Sequence, residues 1–254
     1  MSVGLLITRL GGGDKFHMRT ELGVWNVLPD QNSTFQLPEY FDFIYIDLEH
    51  GLRTIDELLT TIRFFNLRQT NYSVRVRRFD DPLIQTLLDA GVRNFILPQL
   101  RSINEFSIFK SKISFPPNGT RGLHPKSKLK INTALSEKLS LTVIIETPEA
   151  LEILDEIASD ASVTDLYLGV FDLSMELGIQ GGPFSPEVDK YYLKIMNICK
   201  KFGKNFVAML PDSADLSFAE KHSLDKVVIG IDSMLIHSHF LQITSKLRTK
   251  LYGQ

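Results

Sequence analysis

Several short apolar runs in this chain end on residues able to do chemistry. Phe43-Ile44-Tyr45-Ile46 leads into Asp47-Leu48-Glu49-His50-Gly51, Leu141 to Ile145 into Glu146, and Leu166-Tyr167-Leu168 into Gly169-Val170-Phe171-Asp172. Arg75 follows Val74, with Arg77 and Arg78 close behind, and the run from Lys226 ends in Gly230-Ile231-Asp232. Glu146 and Asp172 end successive strands, and two such carboxylates suit a hard divalent cation, leaving positions for water and substrate. The same pair equally fits a solvated glutamate and an aspartate capping a helix that starts at Leu173-Ser174. His50 suits general-base work near neutral pH, or a structural hydrogen bond after a strand. Arg75 suits a carboxylate or an enolate, or a surface salt bridge.

Such residues act together only if the strand ends converge. The strands expected are Val24 to Val27, Phe43 to Ile46, Tyr72 to Val76, Asn94 to Leu97, Leu141 to Ile145, Leu166 to Leu168, Phe206 to Leu210 and Lys226 to Ile229. They are continuous apolar runs, the pattern of a parallel sheet covered on both faces. Helices are expected over Thr54 to Leu67, Asp81 to Ala90, Ile103 to Ile113, Pro148 to Ala158, Pro186 to Phe202, and a C-terminal stretch through Leu247. Ile55, Leu58, Leu59, Ile62 and Phe65 recur at helical spacing, Thr54 and Glu57 have capping-box spacing, and Gly91 closes the next helix. Pro29 to Pro38 leaves room for about one helical turn, and Phe115 to Leu135 reads as a long loop. Eight βα units in 254 residues favour a closed (β/α)8 barrel, an α/β fold, as one domain over 1–254. In such barrels the strand ends carry the active site, which is where the reactive residues fall.

Lys+Arg total 28 and Asp+Glu 30, a net charge of −2, so no bulk basic field draws nucleic acid or an anionic membrane. No run reaches the ~20 apolar residues of a membrane span, and Val3 to Ile7 is too short for a signal-peptide core. A cytoplasmic protein is expected. Cys199 is the single cysteine and makes neither a disulfide nor a Cys-based zinc site. Gly11-Gly12-Gly13-Asp14-Lys15 lacks the ending of a P-loop, and His237 and His239, two apart on a helix, face different ways.

The motifs taken in order resemble the HpcH/HpaI aldolases, the metal-dependent class II pyruvate aldolases. They are Asp47 to Gly51, Val74-Arg75-Val76, Leu87-Leu88-Asp89-Ala90-Gly91, Phe115-Pro116-Pro117-Asn118-Gly119-Thr120-Arg121-Gly122, Ile145-Glu146-Thr147, Gly169 to Ser174 and Val228 to Asp232. The resemblance covers roughly residues 21 to 240. It implies a barrel of the pyruvate/phosphoenolpyruvate superfamily, usually hexameric, using Mg²⁺, Mn²⁺ or Co²⁺. It implies Glu146 and Asp172 as metal ligands, and Arg75 on the keto oxygen of pyruvate and its enolate. His50 and Asp89 would form a proton-transferring pair with Asp47 as acidic neighbour, and the backbone at Phe171 and Asp172 would seat the pyruvate carboxylate. The expected partners are therefore a small 2-oxo acid, an aldehyde and further copies of the chain, with the active site near a subunit interface. Met234, Leu235, Ile236, Phe240, Leu241, Ile243 and Leu247 make the C-terminal helix apolar enough to pack on a neighbouring subunit, or simply to cover the last strand.

The expected activity is cleavage or formation of a 4-hydroxy-2-oxo acid. Its rivals are the same enolate chemistry on an acyl-thioester or phosphorylated substrate, and a non-catalytic barrel oligomer that binds a ligand. The departures from the family's pattern keep those rivals open. Ile144 replaces the usual glutamine two residues before the metal glutamate, so a polar contact to the keto acid is expected to be lost. Phe171 puts a large ring where a small residue is usual. Leu123-His124-Pro125 and Lys126, Lys128 and Lys130 replace small residues after Arg121-Gly122.

Overall fold

Strands of this composition need cover on both faces, in an open doubly wound sheet or a closed barrel, and the computed structural model shows the barrel. The structure describes residues 20–123, 138–182, 185–210 and 216–252. The strands are β1 (Glu21–Asn26), β2 (Phe43–Asp47), β3 (Tyr72–Arg75), β4 (Asn94–Leu97), β5 (Ser140–Ile145), β6 (Val163–Leu168), β7 (Asn205–Met209) and β8 (Lys226–Ile231). All pair in parallel in sequence order, and β8 returns to β1. This is the (β/α)8 barrel expected.

Two apolar layers follow from the period-2 alternation of strand side chains. Ile44 and Ile46 point outward into the layer between sheet and helices, while Phe43 and Tyr45 point inward. Inside, Trp25, Phe43, Tyr45, Ile96, Ile144, Tyr167, Val207 and Val228 fill the barrel, so it is a packed core rather than a pore.

Between the strands lie α1 (Gln31–Thr34), α2 (Ile55–Leu67), α3 (Ile84–Ala90), α4 (Ile103–Ile113), α5 (Pro148–Glu152), α6 (Leu154–Ser159), α7 (Val170–Glu176), α8 (Asp189–Phe202) and α9 (Leu216–Lys221). The Thr54–Glu57 capping box is formed in both directions, and Gly91 ends α3 in the left-handed region at φ 102°. The first unit keeps the one-turn α1, followed by a 3-10 turn at Leu37–Glu39. The helix expected over Pro148 to Ala158 is broken at Ile153 (φ −95°, ψ 14°) into α5 and α6. The helix expected from Asp81 begins at Ile84, because the buried Asp81 carboxylate accepts from the Arg77 and Leu83 backbone N–H groups and holds a turn. Pro186–Val188 forms a 3-10 turn ahead of α8, and α7 and α9 are additional elements. In the long loop, Arg121 is buried with its guanidinium 4.3 Å from the centre of the Phe115 ring. His124, Pro125, Lys126, Lys128 and Lys130 lie outside the described residues, as do Gly11 to Lys15.

The final helix, α10 (Asp232–Tyr252), is anchored through its first turn, by Asp232 and by Leu235, which packs against the core. Asp232 closes the seam of the barrel by accepting from Asn26 Nδ2 at 2.7 Å and from the Val27 backbone N–H at 3.2 Å. It is the one buried residue of α10, whereas Met234, Ile236, Phe240, Leu241, Ile243, Leu247 and Leu251 are exposed. Within one chain only Leu235 of the helix's apolar residues packs, half-buried, against the barrel core, and those beyond the first turn stay exposed. Among the described residues, no helix is long and apolar enough to cross a membrane.

Candidate active site

Asp47, the last residue of β2, is buried and organises the charged wall of the site. Its Oδ1 accepts from the backbone N–H groups of Glu49 at 2.8 Å and His50 at 3.2 Å, which bends the chain sharply after the strand. The same carboxylate takes Arg75, the last residue of β3, in a two-point grip. Arg75 Nε donates to Oδ1 at 2.9 Å and Nη2 to Oδ2. Residues Asp47 and Arg75 are direct register partners in the sheet, so strand pairing delivers this contact. Glu49 Oε2 lies 3.1 Å from Arg75 Nη1, and the guanidinium carbon stands 4.4 Å from the centre of the Trp25 ring. A planar fork held by a bidentate carboxylate and an aromatic face has little freedom left.

Glu146 follows β5, lines the same cavity and is almost wholly buried. Its Oε1 accepts the Gln99 backbone N–H at 2.6 Å. Gln99 adopts a left-handed conformation at φ 50°, a costly state for a non-glycine residue that aims this N–H into the site. Burial pushes the Glu146 carboxyl up to about 8, and the negative charges of Glu49 and Asp172 push the same way. The Gln99 N–H and Arg75 oppose them. Glu49 is also raised, by burial first and against the pull of Arg75. Asp172 sits in the first turn of α7, directly after β6.

One cavity of about 250 Å³ gathers these groups. Asp47, His50, Arg75, Glu146 and Asp172 supply its charged wall, and Trp25, Val27, Ile144, Tyr167, Phe171, Met209 and Ile231 its apolar one. Phe171, 49% exposed, stands at the mouth rather than filling the interior. Tyr167 lies deeper, its hydroxyl accepting from Trp25 Nε1 at 3.2 Å.

Asp47, His50, Arg75, Ile144, Glu146, Phe171 and Asp172 are thus brought together, as the sequence led us to expect. Asp89 is not. It lies exposed on α3, after the buried pair Leu87 and Leu88, and accepts from Gln85 Nε2 at 3.0 Å. Sequence reasoning assigned no role to Glu49, Trp25, Tyr167, Gln99, Met209 or Ile231. The inward phase of the strands marks Trp25 and Tyr167, and the two-residue spacing from Asp47 marks Glu49. The left-handed Gln99 has no such signature.

The donor set fits a hard divalent cation. Two carboxylates on a shared cavity, one raised by burial and by two negative neighbours, match the one or two protein carboxylates that such an ion takes beside water and substrate. Among the described residues no group of three or more His, Cys, Asp or Glu side chains is gathered to hold a metal ion, so Glu146 and Asp172 would leave most of the coordination to water and substrate.

A (β/α)8 barrel whose strand ends carry an arginine, a histidine and paired carboxylates in one cavity is the frame of a lyase of the aldolase type. Residues 23–238 match the family model for HpcH/HpaI aldolase/citrate lyase, and the chain belongs to that family. It is similar to 4-hydroxy-2-oxovalerate aldolase of Rhodococcus jostii (strain RHA1), with 27% identity over 245 residues that cover 92% of this chain and 94% of that protein. Its fold is shared by an HpcH/HpaI aldolase/citrate lyase family protein from Burkholderia cenocepacia J2315, at a TM-score of 0.81 and 20% identity over 90% of this chain and 95% of that one. Citrate synthase SbnG has the same fold, at a TM-score of 0.79 and 24% identity over 91% and 94% of the two chains.

Proposed function

We propose that the chain is a divalent-metal aldolase that cleaves or forms a 4-hydroxy-2-oxo acid, with pyruvate or a related 2-oxo acid and an aldehyde as the two halves. The observation that carries this reading is the immobilised Arg75 sharing one cavity with Glu146 and Asp172. The name of the Rhodococcus jostii relative, a 4-hydroxy-2-oxo acid aldolase, points the same way.

Glu146 and Asp172 would hold the ion, of which Mg²⁺, Mn²⁺ and Co²⁺ are the choices the resemblance implies. A bound cation of this kind supplies Lewis-acid stabilisation of negative charge developing on the oxygens of the keto acid. The chain's own residues do the rest. Arg75 presents a fixed positive group to the forming enolate oxygen and needs no rearrangement as charge appears, since Asp47, Glu49 and Trp25 already hold it. The backbone at Phe171 and Asp172, in the first turn of α7 where helices present N–H groups, receives the carboxylate. His50, exposed at the mouth, moves the proton of the 4-hydroxyl. Ile144, Met209 and Ile231 keep one side of the cavity apolar and strengthen the opposing charges.

Residues 1–254 act in this reading as one barrel that assembles with further copies of itself. The exposed apolar length of α10 supports the assembly, with that helix packing on a neighbour. Asp89 would then meet His50 from another subunit, since it does not reach the cavity within its own chain.

Solvent-deuterium exchange into pyruvate, with Mg²⁺, Mn²⁺ or Co²⁺ supplied, tests enolate formation without knowing the aldehyde. The expected result is metal-dependent exchange that Arg75→Lys abolishes. Absence of exchange with every one of these ions would overturn the reading.

A further inference from the structure

We propose that the Tyr167 hydroxyl donates a hydrogen bond to an oxygen of the bound 2-oxo acid, making Tyr167 a substrate-binding residue; this rests on the reading given above. An indole N–H donates and never accepts, and Trp25 Nε1 lies 3.2 Å from the Tyr167 hydroxyl oxygen, so the phenol is the acceptor of that bond. Its own proton must point elsewhere. Among the described residues no acceptor takes it, although Tyr167 is 5% exposed. A buried hydroxyl proton left without an acceptor is costly unless a ligand or water completes it. Tyr167 lines the cavity, where a ligand or water can accept that proton.

The position of the phenol explains what it replaces. Ile144 and Tyr167 are direct register partners on β5 and β6, and both belong to the inward-facing set. Adjacent side chains on one face of a sheet reach the same space. Ile144 stands where the resembling family carries glutamine, and the polar contact expected to be lost there is supplied from the neighbouring strand. Arg75 and Glu146 both act on the phenol, Arg75 favouring its ionised form and Glu146 opposing it. Burial dominates and pushes it up to about 12, so it stays a neutral donor across the neutral range. Edge-on packing against Trp25 and Tyr45, at centroid distances of 5.9 and 6.2 Å, fixes the ring before any ligand arrives. Catalysis and tight binding both profit from a donor held in place in advance.

Trp25 is the single tryptophan of the chain, so its fluorescence reports directly on this corner of the site. Pyruvate is titrated into the full-length protein saturated with Mg²⁺ or Mn²⁺, with calorimetry as a second readout. Tyr167→Phe, which removes one oxygen and keeps the ring, is expected to weaken pyruvate binding about tenfold or more while metal affinity stays that of the parent. Adding Ile144→Gln to Tyr167→Phe is expected to recover part of the loss, which a merely structural role for the hydroxyl would not produce. Unchanged pyruvate affinity in Tyr167→Phe, beside a parent that binds pyruvate, overturns the assignment of Tyr167 alone. A parent that binds the metal but not pyruvate overturns the proposed function and this assignment with it.

Discussion

Gly169 leaves the space that Glu146 occupies: a Cβ on Gly169 would lie 2.5 Å from Glu146 Cβ and 2.8 Å from its Oε2. The backbone at Gly169 (φ −80°) does not itself require glycine, so the constraint is one of room. Gly169→Ala is expected to displace the Glu146 carboxylate and to cost about 1–3 kcal/mol of stability, the usual range for overpacking. Divalent-metal affinity should fall about 10–100-fold, as when the groups around a ligand are disturbed. Thermal unfolding and calorimetry with Mn²⁺ check both; an alanine variant with parental metal affinity would show that Glu146 is not a ligand or has other room.

The raised carboxyl of Glu146 gives the metal-free protein an unusual pH dependence. Between the ordinary value of 4.5 and about 8, the folded chain keeps a proton that the unfolded chain has lost. Stability from this group is therefore present at low pH and declines as pH rises through that window, by at most about 1.4 kcal/mol per pH unit. Glu146→Gln should flatten that slope in metal-free samples and abolish metal binding, as should Asp172→Asn for the binding alone. Binding of the ion to the parent below pH 8 should release a proton, read as a buffer-dependent heat in calorimetry.

Arg75→Lys keeps the charge and loses the fork. A lysine cannot bond both Asp47 oxygens and stack flat on Trp25 at once. We expect kcat for aldol cleavage to fall about 10²–10³-fold, the usual cost of losing one donor to a developing oxyanion. The fold should persist, because β2 and β3 remain paired through their backbones. Steady-state kinetics beside a circular-dichroism melt separates these effects; retained turnover would remove Arg75 from the reaction.

Association through α10 predicts a sedimenting species larger than the 28.8 kDa monomer at micromolar concentration. Phe240→Asp combined with Leu247→Asp should shift it toward monomer and lower activity, since both side chains are exposed within one chain. A fully active monomer of the parent would rule out the interface.

Most of the barrel was readable because the strands are short, largely apolar runs, several of them closed by a charged residue, and β4 and α4 match the expected bounds to the residue. Boundaries drifted where local chemistry outweighed periodicity. β1 begins at Glu21 rather than Val24 because pairing with β8 starts there, although Glu21 carries no apolar signal. α5 and α6 share one continuous helical pattern, and the break at Ile153 has no glycine or proline to announce it. In the site, charged residues at strand ends were legible because barrels put reactive groups there. The contribution of Tyr167 was hidden, because an inward-facing tyrosine in a strand looks like core until its hydroxyl is given a partner. Asp89 was placed with His50 by resemblance alone, and a single chain does not join them.

The anchoring of α10 makes the last helix a lever on the first strand. Its pivot is Asp232, bonded to Asn26 and to the backbone of Val27. Val27 in turn forms part of the cavity wall. Beyond its first turn α10 carries no buried residue, so a load on its free length reaches the barrel at Asp232 and Leu235, beside the Val27 wall of the cavity.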